Sequence, residues 1–211
     1  MKILAHRGVW KVKTDRNSLS ALKCAIDNNF GLETDLRDLD GQLVISHDIP
    51  NSSSVIYFED LLEYYIKNNS SSLLALNIKS DGLQDLVLRQ LKQYKITQYF
   101  VFDMSIPDTI NYFKYGLPVY IRNSELESYE KLENQSQGIW VDEMIDHWLN
   151  YESFLKLISQ NKDLAFVSPE LHGRSHINFW NNLKSALRTC PESSIISLCT
   201  DYPFEAELFF K

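Results

Sequence analysis

Two histidines in the first quarter of the chain are of the type that carries out acid–base chemistry. His6 directly follows the apolar run KILA, and His47 follows the apolar run LVIS, so both side chains are predicted at strand ends. A neutral imidazole titrates close to working pH, which suits it to take a proton from a nucleophile and return one to a leaving oxygen. A histidine in such a position can equally be structural, so for each residue taken alone both interpretations stay open.

Two acidic residues between these histidines point to a metal ion. Glu33 and Asp35 lie two positions apart, so a strand would place both carboxylates on the same side. Burying two carboxylates together is costly without a cation. A hard divalent ion with oxygen ligands, Mg²⁺ or Ca²⁺, would relieve the repulsion between them. The spacing leaves open the alternative of a surface strand with one polar face.

The elements that position these residues are predicted from the hydrophobic pattern. Short apolar runs alternate along the chain with segments of helical spacing, and the turn Asp40-Gly41 adds a short extended piece after the second strand. The predicted strands are KILAH, residues 32–36, LLALNIK, QYFVFDM, PVYIRN, GIWVDE, LAFVSPE and SIISLCTDY. The predicted helices are residues 18–29, FEDLLEYYIK, GLQDLVLRQLKQY, IPDTINYFKYG, residues 124–133, residues 151–159, residues 178–187 and FEAELFF.

This alternation defines the predicted fold class. Eight strands, each followed by a helix, imply a parallel sheet and are the number that closes a (β/α)8 TIM barrel. About 250 residues is typical of that fold, so a chain of 211 residues would form a single domain, residues 1–211, with short loops. The alternative is an open doubly wound sheet, but HRGVWK after the first strand is not the glycine-rich GxGxxG loop of that class.

Every predicted strand ends in a polar residue that is capable of chemistry. In a parallel barrel the active site forms at the carboxyl ends of the strands, so convergence on one rim is the first functional argument. Strand ends also run into solvated loops, and for any single member of the set that interpretation stays open. The residues concerned are His6 and Arg7, Glu33 and Asp35, Lys79, Asp103, Arg122, Asp142 and Glu143, Glu170, and Asp201.

Composition restricts the class of partner. The formal charge of −7, without a basic cluster, argues against nucleic acid as a partner, because affinity for the phosphate backbone comes mostly from clustered Lys and Arg. No stretch approaches the roughly 20 apolar residues of a membrane span, and MKILAHRG lacks the apolar run of a signal peptide. We therefore expect a cytoplasmic protein. The sequence does not indicate an oligomeric state.

The order of these residues resembles the glycerophosphodiester phosphodiesterases, a family of the phosphatidylinositol-phospholipase-C-like superfamily. Six landmarks across the first 48 residues follow the family pattern: His6-Arg7-Gly8, Asn17-Ser18, Gly31, Glu33-Thr34-Asp35, Asp40-Gly41 and LVIS-His47-Asp48. Two later segments are also similar to it: Asn77-Ile78-Lys79 to its E-(I/L)-K strand, and Thr200-Asp201-Tyr202-Pro203 to its closing TD-x-P. Between these segments the similarity is architectural only.

The resemblance implies a (β/α)8 barrel, one divalent metal ion (Mg²⁺ or Ca²⁺) and acid–base catalysis by His6 and His47. It also implies that the substrate is a small phosphodiester, either a glycerophosphodiester or a related small or cell-surface-precursor compound. Two alternatives stay open: cleavage to a cyclic phosphate, and a catalytically weakened barrel that only binds a phosphorylated ligand. Carried over by position, Glu33, Asp35 and Asn77 stand where the family has metal ligands, and Arg7 and Lys79 would hold phosphate oxygens.

Two departures from the family pattern affect these expectations. Arg16 stands where the family has the glutamate of its PEN turn, and Asn77 stands where it has a third acidic ligand. An amide oxygen can coordinate Mg²⁺ or Ca²⁺ but brings no charge, so metal affinity should fall unless another carboxylate, such as Glu170 or Asp142, approaches. The segment after His47 is also too short for the small insertion domain that caps glycerophosphodiesters in many family members.

One further segment is a candidate for substrate recognition. SPELHGR, residues 168–174, places Glu170, His172 and Arg174 just past the seventh strand. A polar loop that only caps a helix is the alternative. Trp10 and Tyr202 lie beside landmark positions and are candidate walls of the pocket, although aromatic residues at strand ends also serve simple packing.

Overall fold

The computed structural model describes residues 1–51, 55–128, 130–160, 162–188 and 195–211. Its elements fall into two compact units. The N-terminal unit comprises residues 4–119, and the C-terminal unit comprises residues 1–3 and 120–211. The single-domain organisation expected from the sequence stays a prediction.

The N-terminal unit is an alternation of strands and helices with a hairpin inserted after its second strand. Its elements are β1 (Lys2–His6, from residue 4 onward), α1 (Leu19–Asp27), β2 (Gly31–Leu39), β3 (Gln42–Ile45), β4 (Ile56–Tyr57), α2 (Phe58–Lys67), β5 (Leu74–Ile78), α3 (Gln84–Gln93), β6 (Tyr99–Phe102) and α4 (Ile106–Lys114). A short 3-10 helix, Lys13–Asp15, lies between β1 and α1.

Strand β2 is the centre of the sheet in this unit. It pairs in parallel with β1 and with β5, and β5 pairs in parallel with β6. The register places His6 opposite Glu33, and Asp35 opposite Asn77. Parallel pairing aligns the carboxyl ends of these strands, so the polar residues near those ends are brought together.

The second half of β2 extends into a hairpin. From Leu36 to Leu39 it pairs in antiparallel fashion with β3. The turn residues Asp40 and Gly41 have φ angles of 49° and 77°, the left-handed conformation that a two-residue hairpin turn requires. The sequence prediction of a DG turn is confirmed.

Local sequence explains how α1 is placed against this sheet. The side chain of Ser18 caps the helix by accepting a hydrogen bond from the backbone N–H of Ala21 at 3.2 Å. The buried residues of the helix, Ala21, Leu22, Ala25 and Ile26, recur at helical spacing. Residues 31–36 of β2 are all buried, as expected for a parallel strand covered on both faces.

The C-terminal unit is also built on a parallel sheet. Strands β7 (Tyr120–Asn123), β8 (Gly138–Val141), β9 (Asp163–Val167) and β10 (Ile196–Thr200) pair in that order. Helices α5 (Tyr151–Ile158), α6 (Ile177–Leu187) and α7 (Pro203–Phe210) follow β8, β9 and β10, and short 3-10 helices lie at Glu133–Gln135 and Pro169–His172. Phe154 contacts Phe179 edge to face, with ring centroids 5.0 Å apart, inside the core of this unit.

The α/β class is confirmed, and the described residues include eight strands in parallel pairing. In the described ranges an α-helix follows each of these strands except β7. The closure of these strands into a barrel stays a prediction. The helix predicted over residues 124–133 is wrong: its described part forms turns followed by a 3-10 helix. Local side chains take the hydrogen bonds there, because the hydroxyl of Ser124 accepts from the N–H groups of Leu126 and Glu127.

No helix within the described ranges combines the length and apolar character needed to cross a bilayer. The cytoplasmic location expected from the sequence stays a prediction.

Candidate active site

The loop after β1 is anchored to β2 at Glu33. Arg7 has a φ of 55°, and its backbone N–H donates to the carbonyl of Glu33 at 2.9 Å. Gly8 follows with a φ of 90°, and a Cβ added there would lie 2.5 Å from the carbonyl carbon of Ala21. Only glycine fits this contact. The approach of α1 to this loop therefore fixes where His6 and Arg7 leave the strand.

Two buried carboxylates form the centre of the site. Glu33 is 1% exposed and Asp35 is 0% exposed. Arg7 Nε lies 2.8 Å from Asp35 Oδ2, and Lys79 Nζ lies 3.6 Å from Asp35 Oδ1. The same ammonium donates to Asp103 Oδ2 at 2.7 Å. The predicted carboxylate pair and the predicted phosphate-binding cations thus lie together, with each cation held by a carboxylate.

Glu33 is the more strongly perturbed of the two acids. Desolvation by burial, followed by repulsion from Asp35, raises the pKa of Glu33 to about 8, although Arg7 and Lys79 act in the opposite direction. Asn77 Nδ2 donates to Glu33 Oε1 at 3.3 Å, and His6 Nε2 lies 3.9 Å from Glu33 Oε2. This carboxyl group is in an environment that favours its neutral form unless a further cation is present.

The donor atoms of this site fit a hard divalent ion. Among the described residues, Asp35 Oδ1 and Asn77 Oδ1 are buried oxygens without a hydrogen-bond partner, and the two residues are register neighbours on β2 and β5. No group of three or more His, Cys, Asp or Glu side chains in the described ranges is arranged to hold a metal. A site on this unit therefore needs the amide oxygen of Asn77 beside Glu33 and Asp35, and metal binding by these residues stays a prediction.

Backbone hydrogen bonds hold His47 beside β2. Ser46 N donates to the carbonyl of Asp35 at 3.1 Å, and Arg37 Nε donates to the carbonyl of His47 at 3.0 Å. The imidazole is half exposed, and its Nδ1 lies 2.9 Å from Asp48 Oδ1. The hairpin thus brings His47 back beside Asp35, next to the point where the parallel pairing of β2 with β5 ends. That the two imidazoles face each other stays a prediction.

Asn17 was predicted only as a landmark of the family pattern, without a role, and it is part of the site. Its Nδ2 donates to Asp35 Oδ2 at 2.8 Å, and its Oδ1 accepts from the hydroxyl of Thr34 at 2.8 Å. A buried asparagine with a φ of 59° is the structural sign of this role. Neither its burial nor its conformation is visible from residue types alone.

Trp10 supports the histidine of β1. Its indole N–H donates to the carbonyl of His6 at 2.9 Å, and the guanidinium carbon of Arg16 lies 4.4 Å from the centroid of its ring. Arg16, which stands where the family pattern has a glutamate, therefore stacks on Trp10, the side chain that holds His6.

In the C-terminal unit, the two possible additional ligands have partners of their own. Asp142 Oδ1 lies 2.7 Å from His172 Nε2, and Arg122 Nη1 lies 3.8 Å from Asp142 Oδ2. Glu170 accepts hydrogen bonds from the hydroxyls of Ser168 and Thr200 and from the backbone N–H of Asp201. A role for Asp142 or Glu170 at a metal stays a prediction.

Within the SPELHGR segment, Arg174 makes hydrogen bonds to the loop that follows β8. Arg174 donates to the carbonyl of Ile145 at 2.7 Å and also to the carbonyls of Glu143 and Met144. Its guanidinium thus stabilises the loop that follows β8. Tyr202 packs against His176, with ring centroids 5.5 Å apart.

Comparison with known proteins establishes the fold. No protein-family model matches the sequence, and no curated protein matches it. Among solved structures, a Galdieria sulphuraria protein provisionally assigned as a glycerophosphodiester phosphodiesterase aligns with a TM-score of 0.78 at 15% identity, over 99% of this chain and 97% of that one. A glycerophosphodiester phosphodiesterase from Parabacteroides distasonis aligns with a TM-score of 0.71 at 16% identity, over 99% and 96%.

A third solved structure contains a ligand. It is an Oleispira antarctica phosphodiesterase in complex with the product sn-glycerol-3-phosphate, with a TM-score of 0.69 at 14% identity, over 99% of this chain and 96% of that one. The chain shares the fold of these structures over nearly its whole length. The family resemblance found in the sequence is therefore confirmed at the level of the fold.

Proposed function

We propose that the protein is a metal-dependent phosphoric diester hydrolase that acts on a glycerophosphodiester or a related small or cell-surface-precursor phosphodiester. One observation carries the proposal. A cluster of charged and polar groups lies on the neighbouring strands β2 and β5 and in the residues that directly follow β1 and β5. It consists of the buried carboxylates of Glu33 and Asp35, the amide of Asn77 and the cations of Arg7 and Lys79. That cluster lies in a fold shared with solved glycerophosphodiester phosphodiesterases.

In this proposal Glu33, Asp35 and Asn77 hold one Mg²⁺ or Ca²⁺ ion. When bound, the ion supplies positive charge that stabilises the oxygens of the reacting phosphoryl group. The buried oxygens Asp35 Oδ1 and Asn77 Oδ1 support this assignment. Neither accepts a hydrogen bond within the described ranges, although the Lys79 ammonium lies 3.6 Å from Asp35 Oδ1, and buried acceptors without a donor are costly unless a cation or water satisfies them. The raised pKa of Glu33 supports it as well, since Arg7 and Lys79 do not offset the burial of this carboxyl group and its repulsion from Asp35.

Arg7 and Lys79 orient the phosphodiester. Asp35 aligns the guanidinium of Arg7, and Asp103 aligns the ammonium of Lys79, so both cations are positioned before substrate arrives. Fixed cations at a strand end stabilise charge on the equatorial phosphoryl oxygens without reorganisation during the reaction.

His6 and His47 exchange protons with the attacking and departing oxygens. Trp10 holds the backbone of His6 through its indole N–H. His6 Nε2 lies 3.9 Å from Glu33 Oε2, so the imidazole lies beside the proposed metal ligands. His47 is half exposed and paired with Asp48, an arrangement that permits proton exchange with solvent. The assignment of base and acid between the two stays open.

Two other functions remain candidates. Attack by a hydroxyl of the substrate itself would give a cyclic phosphate as the final product. The uncharged Asn77 at the third ligand position favours the second candidate, a barrel that binds a phosphorylated ligand without turnover. Hydrolysis is preferred because the Oleispira antarctica phosphodiesterase holds sn-glycerol-3-phosphate, which is described as its product.

The proposal is tested by incubating the protein with glycerophosphocholine and with a chromogenic phosphodiester, in Mg²⁺, in Ca²⁺ and in EDTA. We expect turnover only with a divalent ion, and phosphorus NMR should show a phosphomonoester. His6→Ala and His47→Ala should abolish turnover while the fold is retained. His147→Ala is the matched control, because that histidine is half exposed and pairs with Glu143 in the C-terminal unit. Full activity in either of the first two variants would rule out the mechanism.

A further inference from the structure

Asn17 links three parts of the candidate site. It is buried and adopts a φ of 59°, a left-handed conformation that asparagine tolerates better than most residues. Its backbone N–H donates to the carbonyl of Arg7 at 2.9 Å. The chain is thereby turned so that the carboxamide points at β2.

The orientation of that carboxamide is determined by its two partners. An ionised carboxylate can only accept hydrogen bonds, so the group 2.8 Å from Asp35 Oδ2 must be the Nδ2 donor of Asn17. The hydroxyl of Thr34 donates to Asn17 Oδ1 at 2.8 Å and holds the other end of the amide. Both contacts lie in the buried part of the unit.

These contacts make the two oxygens of Asp35 unequal. Oδ2 is contacted at 2.8 Å both by Asn17 Nδ2 and by Arg7 Nε. Oδ1 is buried, has no hydrogen-bond donor among the described residues and lies 3.6 Å from the ammonium of Lys79. Oδ2 is thus held closely by two nitrogen groups, whereas in the part of the chain that the structure describes Oδ1 has only the more distant ammonium of Lys79 and accepts no hydrogen bond.

We propose that Asn17 is a positioning residue that reserves Asp35 Oδ1 for the divalent ion by holding Oδ2. This inference rests on the metal site of the proposed function and adds to it a residue outside the ligand set. Groups that hydrogen-bond a ligating carboxylate orient it, and their loss typically weakens metal binding about 10–100-fold.

The test is calorimetric titration of the metal-free protein with Mg²⁺ alone and with Ca²⁺ alone. Asn17→Gly keeps the left-handed backbone and removes the carboxamide, so we expect the dissociation constant to rise about tenfold or more. Asn29→Gly is the matched control, since Asn29 also has a φ of 59° but is exposed at the end of α1. It should share any backbone cost of the change and bind metal as the wild type does.

A second variant covers the case in which Asn17→Gly fails to fold. Thr34→Val removes the hydroxyl that holds the amide at nearly constant volume, and it should weaken metal binding by a smaller factor. If the wild type binds the metals and every variant that folds binds them as tightly as the wild type does, the inference is wrong and the proposed function stands. If the wild type takes up neither metal, the metal site itself is wrong and the inference falls with it.

Discussion

Lys79 Nζ lies 2.7 Å from Asp103 Oδ2, so one ammonium joins the carboxyl ends of β5 and β6 beside the buried acids of β2. Asp103 has a φ of 74°, and its backbone is therefore turned out of the extended conformation where β6 ends. The pair holds a cation in place at the site where the proposed phosphodiester binds.

Replacing Lys79 tests this role in catalysis. Lys79→Met keeps most of the side-chain volume and removes the charge, and we expect kcat/KM to fall about 100-fold, the range seen when a group that stabilises transition-state charge is lost. Asp103→Asn should have a smaller effect, because it loosens the ammonium without removing it. Lys92→Met on the exposed face of α3 is the control for loss of a positive charge. Equal activity of Lys79→Met and the control would exclude phosphate binding by Lys79.

The buried Glu33 predicts how the stability of the metal-free protein depends on pH. Its folded-state pKa of about 8 lies above the ordinary value of 4.5, so the folded state retains a proton that the unfolded state releases. The resulting contribution to stability is complete below pH 4.5 and is lost as pH rises through 8. In EDTA, the melting temperature of the wild type should therefore fall between pH 5 and pH 8.5.

Glu33→Gln provides the comparison for that prediction. The glutamine cannot ionise, so the melting temperature of the variant should depend less on pH over the same interval. Calorimetric scans of both proteins at half-unit steps measure the difference. Parallel curves for the two proteins would show that Glu33 is not the group responsible.

Asn77 offers a gain-of-function test. Asn77→Glu restores a carboxylate at the third ligand position, and we expect the concentration of Mg²⁺ or Ca²⁺ that gives half-maximal activity to fall, because charged oxygen ligands bind these ions more tightly. The new carboxylate would lie close to Glu33, so the metal-free variant should melt at a lower temperature than the wild type. Asn77→Ala should require more metal. An unchanged metal requirement in both variants would remove Asn77 from the ligand set.

Gly8 is predicted to make a large contribution to stability. Gly8→Ala places a methyl group 2.5 Å from the backbone of α1 at a φ of 90°, and we expect a loss of about 2 kcal/mol or more in the free energy of unfolding. Gly41→Ala is the control: its φ is 77°, but a Cβ there meets nothing within 4 Å. Its free energy of unfolding should fall only by the cost of placing alanine in the left-handed conformation, about 1–2 kcal/mol. Urea denaturation measures both losses, and equal values would contradict the steric argument.

Much of the candidate site could be predicted because it depends on local periodicity. Glu33 and Asp35 lie two apart on a strand, so their shared side follows from strand geometry. That relation needs only a correct strand assignment. Asn77 was predicted in a different way, from the resemblance of Asn77-Ile78-Lys79 to the family's E-(I/L)-K strand, and the parallel register that pairs it with Asp35 is visible only in the structure.

The remaining features depend on contacts that residue types do not determine. Asn17 reaches Asp35 only because the loop after β1 turns through Arg7 and Gly8 and packs on α1. The helix predicted near residues 124–133 fails for a related reason. Glu125 is used as a cap for the N–H groups of Met144, Ile145 and Asp146, a tertiary arrangement that propensity cannot anticipate.

The register between β2 and β3 determines where the second histidine lies. Successive strand residues point to opposite faces, so a slip of β3 by one residue along β2 would turn every side chain of β3 to the other face and displace the segment that follows it, which carries His47. The two-residue turn at Asp40-Gly41, far from the buried carboxylates in the chain's path, therefore helps to set the distance between the two histidines.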